Sequence, residues 1–271
     1  TTVAGEQYHD YLYHNVGNKL SVTANGSSLD LELQPKRFRP VDGAKWQNNK
    51  GFLFPGWHYF KEVRASKPVD TGAIADFQVR DLEPTPGSMR LYFSDGAPRE
   101  YATALAPATM SPPPAYEKKP TPVLVVRQQG EAWDRPFAVV FEPLADGAKD
   151  KIVRTDTLKQ GGIFAGFTVR AVVGGQVVVY HVVIPPDSEA GFSNQEMGLS
   201  FKGRYAVVTT DESGALLEAY VGEGTALDYR GHRLSAQEGG NFAAGLNLRG
   251  QSPVLEKRGS AVYAALPAPS R

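Results

Sequence analysis

The sequence predicts an all-β protein made of antiparallel, supersandwich-like β-sandwich layers with few or no long helices. Gly and Pro contribute 28 and 20 of the 271 residues, a share above the average that favours turns over long helices. Short apolar segments with a period of two recur along the chain, as in half-buried strands. Turn sequences separate them at spacings of about ten residues in the C-terminal part, which is typical of sandwiches.

The first predicted hairpin lies at Asn25-Gly26, between the apolar start Leu20–Val22 and the alternating segment Leu29–Leu33. Asn-Gly tolerates the positive φ of a tight turn. The segment Met89–Phe93 alternates in the same way and predicts another strand. Val123–Val126 and Phe137–Phe141 are apolar runs joined by a polar, glycine-containing segment, so we expect a second hairpin there.

A third hairpin is predicted from Phe167 to Ile184, with its turn at Gly174-Gly175. Its second strand is almost continuously apolar and β-branched, so we expect it to be covered on both faces. Beyond Tyr205 the sequence predicts further strands at residues 206–209, 215–220, 225–229 and 261–265, with turns at 211–214 and 222–224.

A proline-rich segment suggests how the chain is divided. Residues 106–122 carry six prolines and are expected to run as an extended surface loop. This predicts a sandwich part over residues 1–110 and a C-terminal sheet part over 111–271, although one continuous β unit is the alternative.

Composition argues against several classes of function. Lys+Arg and Asp+Glu are both 29, so the basic excess of a nucleic-acid binder is missing. The absence of Cys removes disulfides and thiolate metal sites. No apolar run reaches the ~20 residues of a membrane helix. The first residue is Thr1 rather than Met, so we expect a processed or excised product.

The segment from Tyr8 to His14 is the densest in titratable side chains. On a strand, His9 and Tyr11 would share one face, and Asp10 and His14 the other. Asp10 and His14 could then form a metal pair, or a base with the group that orients it. The alternative interpretation is that a tyrosine-rich strand is simply good β sequence.

A second group of candidates is aromatic and includes Trp46, Trp57, His58 and Tyr59. Exposed aromatic rings stack on the C–H faces of sugars, so these residues are candidates for substrate binding. Burial in the core is the competing interpretation. The nearby basic residues Lys36, Arg37 and Arg39 could attract carboxylates or belong to a solvated loop.

Two stretches resemble heparinase II/III-like polysaccharide lyases, a family that includes oligoalginate lyases. The first is Gly5–His14, with its Gly-then-His-Asp-Tyr-x-x-His layout. The second is the pair Pro122–Arg127 and Phe137–Pro143, which is similar to a strand pair of that family. The resemblance covers most of the chain.

The resemblance implies the β-sheet portion of a lyase that cleaves uronic-acid-containing glycans by β-elimination. In that family an N-terminal (α/α) toroid supplies the catalytic tyrosine, and the complete enzyme holds zinc through an His-x-His motif. This chain has neither the toroid nor that motif, so no cofactor or metal is assigned to it and its catalytic residues are unknown. His9, Asp10, Tyr11 and His14 match the local motif and are candidates near the cleft.

We therefore expect a part of a longer or two-chain enzyme, inactive without its helical half, located in the periplasm or secreted. Its expected partners are an acidic polysaccharide or oligosaccharide and the missing toroid domain or chain, with no nucleic acid and no membrane. A non-catalytic carbohydrate-binding β-sandwich and a purely structural β domain are the alternatives. Exposure of the aromatic rings would distinguish these two.

Overall fold

The structure, a computed structural model, describes residues 8–34, 60–81, 86–108, 114–130, 132–237 and 239–265. Regular structure in these ranges is strand, apart from a 3-10 turn at Pro114–Tyr116, which confirms the predicted all-β class. The described part contains no helix with the length and apolarity needed to cross a bilayer. Two compact units are present. The first comprises the described residues up to Ala132 with Val139–Lys149, and the second comprises Trp133–Ala138 with the residues from Asp150 onward.

Within its described residues, the first unit is a sandwich of two five-stranded antiparallel sheets. Its strands are β1 (Tyr8–His14), β2 (Lys19–Ala24), β3 (Ser27–Ser28), β4 (Glu32–Leu33), β5 (Lys61–Ala65), β6 (Ala73–Val79), β7 (Gly87–Phe93), β8 (Arg99–Ala106), β9 (Thr121–Gln129) and β10 (Val139–Ala145). One sheet has the order β1-β9-β8-β5-β4 and the other β10-β7-β6-β2-β3.

Aromatic side chains join the inner faces of these two sheets. The ring of Tyr11 meets Phe93 edge-on at 5.3 Å between centroids, and Tyr13 meets Phe77 in the same way at 5.1 Å. Phe77 and Phe93 are fully buried. Edge-to-face pairs of this kind stabilise a core beyond their area burial, so β1 belongs to the sandwich although it is an edge strand.

In the first unit, the turn predicted from local sequence is confirmed, whereas the predicted pairing of more distant strands is not. Asn25 and Gly26 adopt φ values of 51° and 74° between β2 and β3, which confirms the first hairpin. The strand expected over Leu29–Leu33 is reduced to β4. The hairpin expected between β9 and β10 is wrong, because β9 forms eight residue pairs with β8 and β10 forms seven with β7 of the other sheet.

The proline-rich segment that suggested a domain boundary connects β8 to β9. These two strands are neighbours in one sheet of the first unit. The division into residues 1–110 and 111–271 stays a prediction.

The part of the second unit that the structure describes forms one ten-stranded antiparallel sheet. Its strands are β11 (Ile152–Gln160), β12 (Ile163–Val173), β13 (Gln176–Val183), β14 (Phe192–Asn194), β15 (Leu199–Asp211), β16 (Leu216–Tyr229), β17 (His232–Ala236), β18 (Phe242–Asn247), β19 (Val254–Arg258) and β20 (Ala261–Ala265). The main path is β11-β12-β13-β15-β16-β17-β20, while β14 pairs with β15, β18 with β16, and β19 with β18.

Bends in β15 and β16 fold this sheet over on itself. The register between them shifts around Gly203 and again before Gly224, and β16 pairs with β18 before the bend and with β17 after it. Residues 222–224, expected as a turn, are therefore a bulged part of one continuous strand. The enclosed core contains Val183, Phe192, Leu199, Phe201, Ala206, Val208, Ala219, Val221, Leu227, Tyr229, Leu234, Phe242, Ala244, Leu246 and Ala261.

The hairpin at Gly174-Gly175 is confirmed, since these residues have φ values of 59° and 81° and join β12 to β13. The expectation that β13 is covered on both faces is wrong. Only Val178 and Val183 of this strand are buried, and most of the others are half-buried. The outer face of β13 opens into a groove.

Candidate functional site

The candidate catalytic residues of the N-terminal segment lie on β1, at the edge of the first sheet. Exposure alternates along the strand, so that His9 and Tyr11 face inward while Asp10 and His14 face outward. This is the arrangement that a period of two predicts.

The carboxylate of Asp10 is held by an arginine of the neighbouring strand. Arg127 lies opposite Asp10 in the register, and its Nε and Nη2 donate to Oδ1 and Oδ2 over 2.8 Å each. The same guanidinium lies 4.8 Å above the ring of Tyr8. The hydrogen bond to Asp10 is the main reason that the pKa of Arg127 is raised. This forked, charge-assisted pair ties β1 to β9.

His14 shares the outward face with Asp10 but not its position. Four residues of strand separate the two by about 13 Å, so the structure does not bring them together as a metal pair or a base with its orienter. No cluster of three or more His, Asp or Glu side chains that could hold a metal ion occurs in the described ranges.

His9 and Tyr11 lie on the inner side of the sandwich. Burial raises the pKa of Tyr11, with a smaller contribution from Tyr13. The Nε2 atom of His9 is buried without a hydrogen-bond partner. Opposite His9 in the register is Gln128, whose Oε1 accepts a 3.1 Å hydrogen bond from Nε of the buried Arg99.

Trp46, Trp57, His58 and Tyr59, the predicted substrate-binding residues, lie outside the described residues, as does the basic cluster Lys36, Arg37 and Arg39. The saccharide platform predicted from them stays a prediction.

His181 is half-buried beside Tyr229, a core residue of the second unit, with the two ring centroids 6.4 Å apart. The Nδ1 atom of His181 is 3.2 Å from the Thr168 hydroxyl. Burial, aided by the charge of Arg230, lowers the pKa of His181 to about 4. The Tyr229 hydroxyl donates to the Gly214 carbonyl over 2.9 Å, so both side chains have structural partners within the second unit.

A groove on the outer face of the second unit was not predicted from the sequence. It has a volume of about 540 Å³, and its lining comprises Tyr180, Val207, Thr209, Glu218, Ala219, Tyr220, Gly245, Leu246, Asn247, Val254 and Glu256. These residues come from β13, β15, β16, β18 and β19. Most of them lie in two cross-strand rows, each made of residues that are directly opposite one another on neighbouring strands. One row runs from Tyr180 to Val254 and the other from Val207 to Glu256.

Polar and aromatic groups converge in this groove. The ring of Tyr220 is 44% exposed, and its hydroxyl lies 3.4 Å from that of Tyr205. The Glu218 carboxylate accepts a 2.9 Å hydrogen bond from Nε of Arg249. Rings beside convergent hydrogen-bonding groups are the usual composition of a small-molecule or sugar site.

Sequence reasoning missed the groove because its members are scattered between Tyr180 and Glu256. One signal was available in β16, where Glu218 and Tyr220 follow each other on the face opposite the core residues Ala219 and Val221. It could not show which other strands lie beside β16.

Comparison with known proteins relates the chain to polysaccharide lyases. Residues 152–246 match the family of the endo-acting ulvan lyase C-terminal domain. The chain is also 32% identical, over 232 residues, to an endo-acting ulvan lyase of Formosa agariphila. This alignment covers 85% of the chain and 27% of that protein. No solved structure matches.

The matched family region runs from β11 to β18 and includes most of the groove. Both matches are to endo-acting ulvan lyases, whereas the relationship to heparinase II/III-like lyases stays a prediction. The chain spans about a quarter of the length of the curated relative that it matches.

Proposed function

We propose that this chain is the β-sheet portion of a polysaccharide lyase that cleaves a uronic-acid-containing glycan by β-elimination, and that ulvan is this glycan. The observation that carries the proposal is the 32% identity, over 232 residues, to an endo-acting ulvan lyase. The match of residues 152–246 to the C-terminal domain of such lyases supports it.

The proposal extends to the part of the enzyme that lies outside this chain. β-Elimination needs a base for the proton beside the uronate carboxyl, an acid for the leaving oxygen, and donors that neutralise the carboxylate. Tyr11, His181 and Tyr229 are engaged in packing within their units, and Arg127 is engaged by Asp10. We therefore assign the base to a preceding N-terminal part, as in heparinase II/III-like lyases, and expect the chain alone to be inactive.

The test compares this chain with the complete natural polypeptide, using ulvan as substrate. Elimination creates a C4–C5 double bond that absorbs in the ultraviolet, so the complete polypeptide should give a steady rise in absorbance and this chain none. Absence of a rise with the complete polypeptide would contradict the lyase, and a rise with the chain alone would contradict the assignment of the base.

A polymeric substrate cannot diffuse into a cell, so we also propose a periplasmic or secreted location. Fractionation of the producing cells, with detection of the natural protein, checks this. Recovery in the cytoplasmic fraction alone would contradict it.

A further inference from the structure

We propose that the outer groove of the second unit is a glycan-binding site that seats an uncharged sugar ring of the polymer. Nothing in the lyase chemistry requires this site. The proposal rests on the proposed function only in taking ulvan as the polymer.

The dimensions of the groove suit a carbohydrate chain. It crosses five adjacent strands, which at about 4.8 Å per strand gives a length of about 19 Å. Its volume of about 540 Å³ lies within the usual range for ligand sites.

The wall of the groove offers a stacking surface. Tyr220 of the lining is 44% exposed, and Tyr205, which lies beside the lining, is 42% exposed. Their ring centroids are 5.8 Å apart. Tyr180 of β13 lies opposite Thr209 of β15, which is in turn paired with β16. Tyr180 therefore projects from the same face of the sheet. Tyrosine combines an apolar ring face, which suits the C–H face of a sugar, with a hydroxyl that can bond a sugar hydroxyl.

The charge of the groove selects the kind of sugar ring. Glu218 and Glu256 contribute two carboxylates to the lining, while Arg249 pairs with the first of them. Carboxylates accept strong hydrogen bonds from sugar hydroxyls. The excess negative charge repels the carboxylate of a uronate, so the groove favours a ring without one.

Gly245 leaves the groove open at a position where the fold itself does not require a glycine. It lies between Tyr220 and Glu256 in the cross-strand row, within a strand, where glycine is less favourable than alanine. Its φ is not positive, and an added Cβ would meet only Tyr220 Cδ2, at 4.0 Å. Neither the backbone nor a close contact demands glycine here, and any side chain would project into the groove.

The test is a Gly245→Val substitution, with Ala243→Val as the matched control. Ala243 lies two residues earlier on the same strand and is not part of the lining. Isothermal titration calorimetry with ulvan oligosaccharides should show binding to the unmodified chain. Gly245→Val should weaken it at least tenfold and Ala243→Val less than twofold. Both variants should melt as the unmodified chain does, since valine favours strands.

A second probe tests the choice of ring. Ulvan oligosaccharides whose uronate carboxyls have been reduced to alcohols should bind at least as tightly as the native ones. Tyr220→Ala should weaken both at least tenfold. The proposal is overturned if the chain binds neither probe, if Gly245→Val binds normally, or if carboxyl reduction abolishes binding.

Failure of this proposal differs from failure of the proposed function. If the chain binds but the complete polypeptide gives no elimination, the glycan-binding groove is supported and the lyase function is contradicted. If the complete polypeptide gives elimination but the chain does not bind, the lyase function is supported and the glycan-binding groove is contradicted.

Discussion

His181 is an ionisable side chain that is half-buried against the core of the second unit. Its ring lies among residues of β12, β13 and β16, with the Thr168 hydroxyl at 3.2 Å and the Tyr229 ring at 6.4 Å. Burial disfavours the charged imidazolium, and the nearby Arg230 disfavours it further. The folded state therefore requires the neutral form.

This requirement predicts a loss of stability in mild acid. The folded pKa of His181, about 4, is below the ordinary value of about 6.5, so the unfolded chain binds the proton first. The contribution of His181 is complete above pH 6.5 and is lost as the pH falls from there towards 4. Between pH 7 and pH 5 the free energy of unfolding should fall by about 1–2 kcal/mol from this group.

Urea unfolding at pH 7 and pH 5 measures this difference. A His181→Asn variant, in which position 181 does not titrate, should be less stable at pH 7 but should lose less stability between the two pH values. An equal loss in the variant and the unmodified chain would show that other groups cause the pH dependence.

At the same scale, Asp10 shows what the sequence could predict of a site. The alternation of β1 correctly placed its side chain on the face opposite His9 and Tyr11, because a period of two depends on neighbouring residues alone. Its partner Arg127 lies 117 residues away in the sequence. A strand pairing of that separation has no local signal, so the sequence indicated a cluster of titratable groups and the structure shows a forked ion pair.

At the scale of elements, the bend of β15 and β16 depends on small residues. Gly203 has a φ of 150°, and an added Cβ would lie 2.4 Å from the Glu223 carbonyl oxygen and 2.4 Å from Gly224 Cα. Backbone atoms cannot move aside as a flexible side chain can. The close pairing of Gly203 with Gly224 therefore requires that residue 203 has no side chain.

A Gly203→Ala variant should be strongly destabilised. We expect a loss of about 2–4 kcal/mol in the free energy of unfolding, from steric strain and an unfavourable φ. Gly250→Ala is the control, because its added Cβ would meet only the Ser252 carbonyl oxygen, at 3.8 Å. Urea unfolding of both variants measures the difference, and equal stability of Gly203→Ala and the unmodified chain would contradict this account of the bend.

The elements that the sequence predicted correctly are those with local causes. The turns at Asn25-Gly26 and Gly174-Gly175 follow from the backbone freedom of these dipeptides, and both occur. Residues 222–224 carry the same kind of signal but lie within β16, because pairing on both sides continues through them. The connection from β9 to β10 also looked like a hairpin from local sequence, but β9 belongs to one sheet of the sandwich and β10 to the other.

At the scale of the whole molecule, the second unit has a core of its own. Every residue of its main buried cluster, from Leu158 to Ala261, belongs to that unit. Its sheet closes over this cluster through the bend of β15 and β16. A unit that buries its apolar side chains among themselves meets the main condition for folding alone.

We therefore expect a fragment of residues 150–271 to fold independently. It should unfold cooperatively in urea, give the circular dichroism of a β protein, and bind ulvan oligosaccharides as the whole chain does. It loses the hydrogen bond from the Phe164 amide to the Asp134 carbonyl, so we expect a modest loss of stability.

A fragment of residues 1–138 is the comparison, because it lacks β10, which pairs with β7 in the first unit. The loss of β10 removes an edge strand and the packing of Phe141 on Tyr13, so the fragment of residues 1–138 should be less stable than a fragment of residues 1–149.

Failure of residues 150–271 to unfold cooperatively would show that the second unit depends on the rest of the chain. The groove would then have to be tested in the intact chain only.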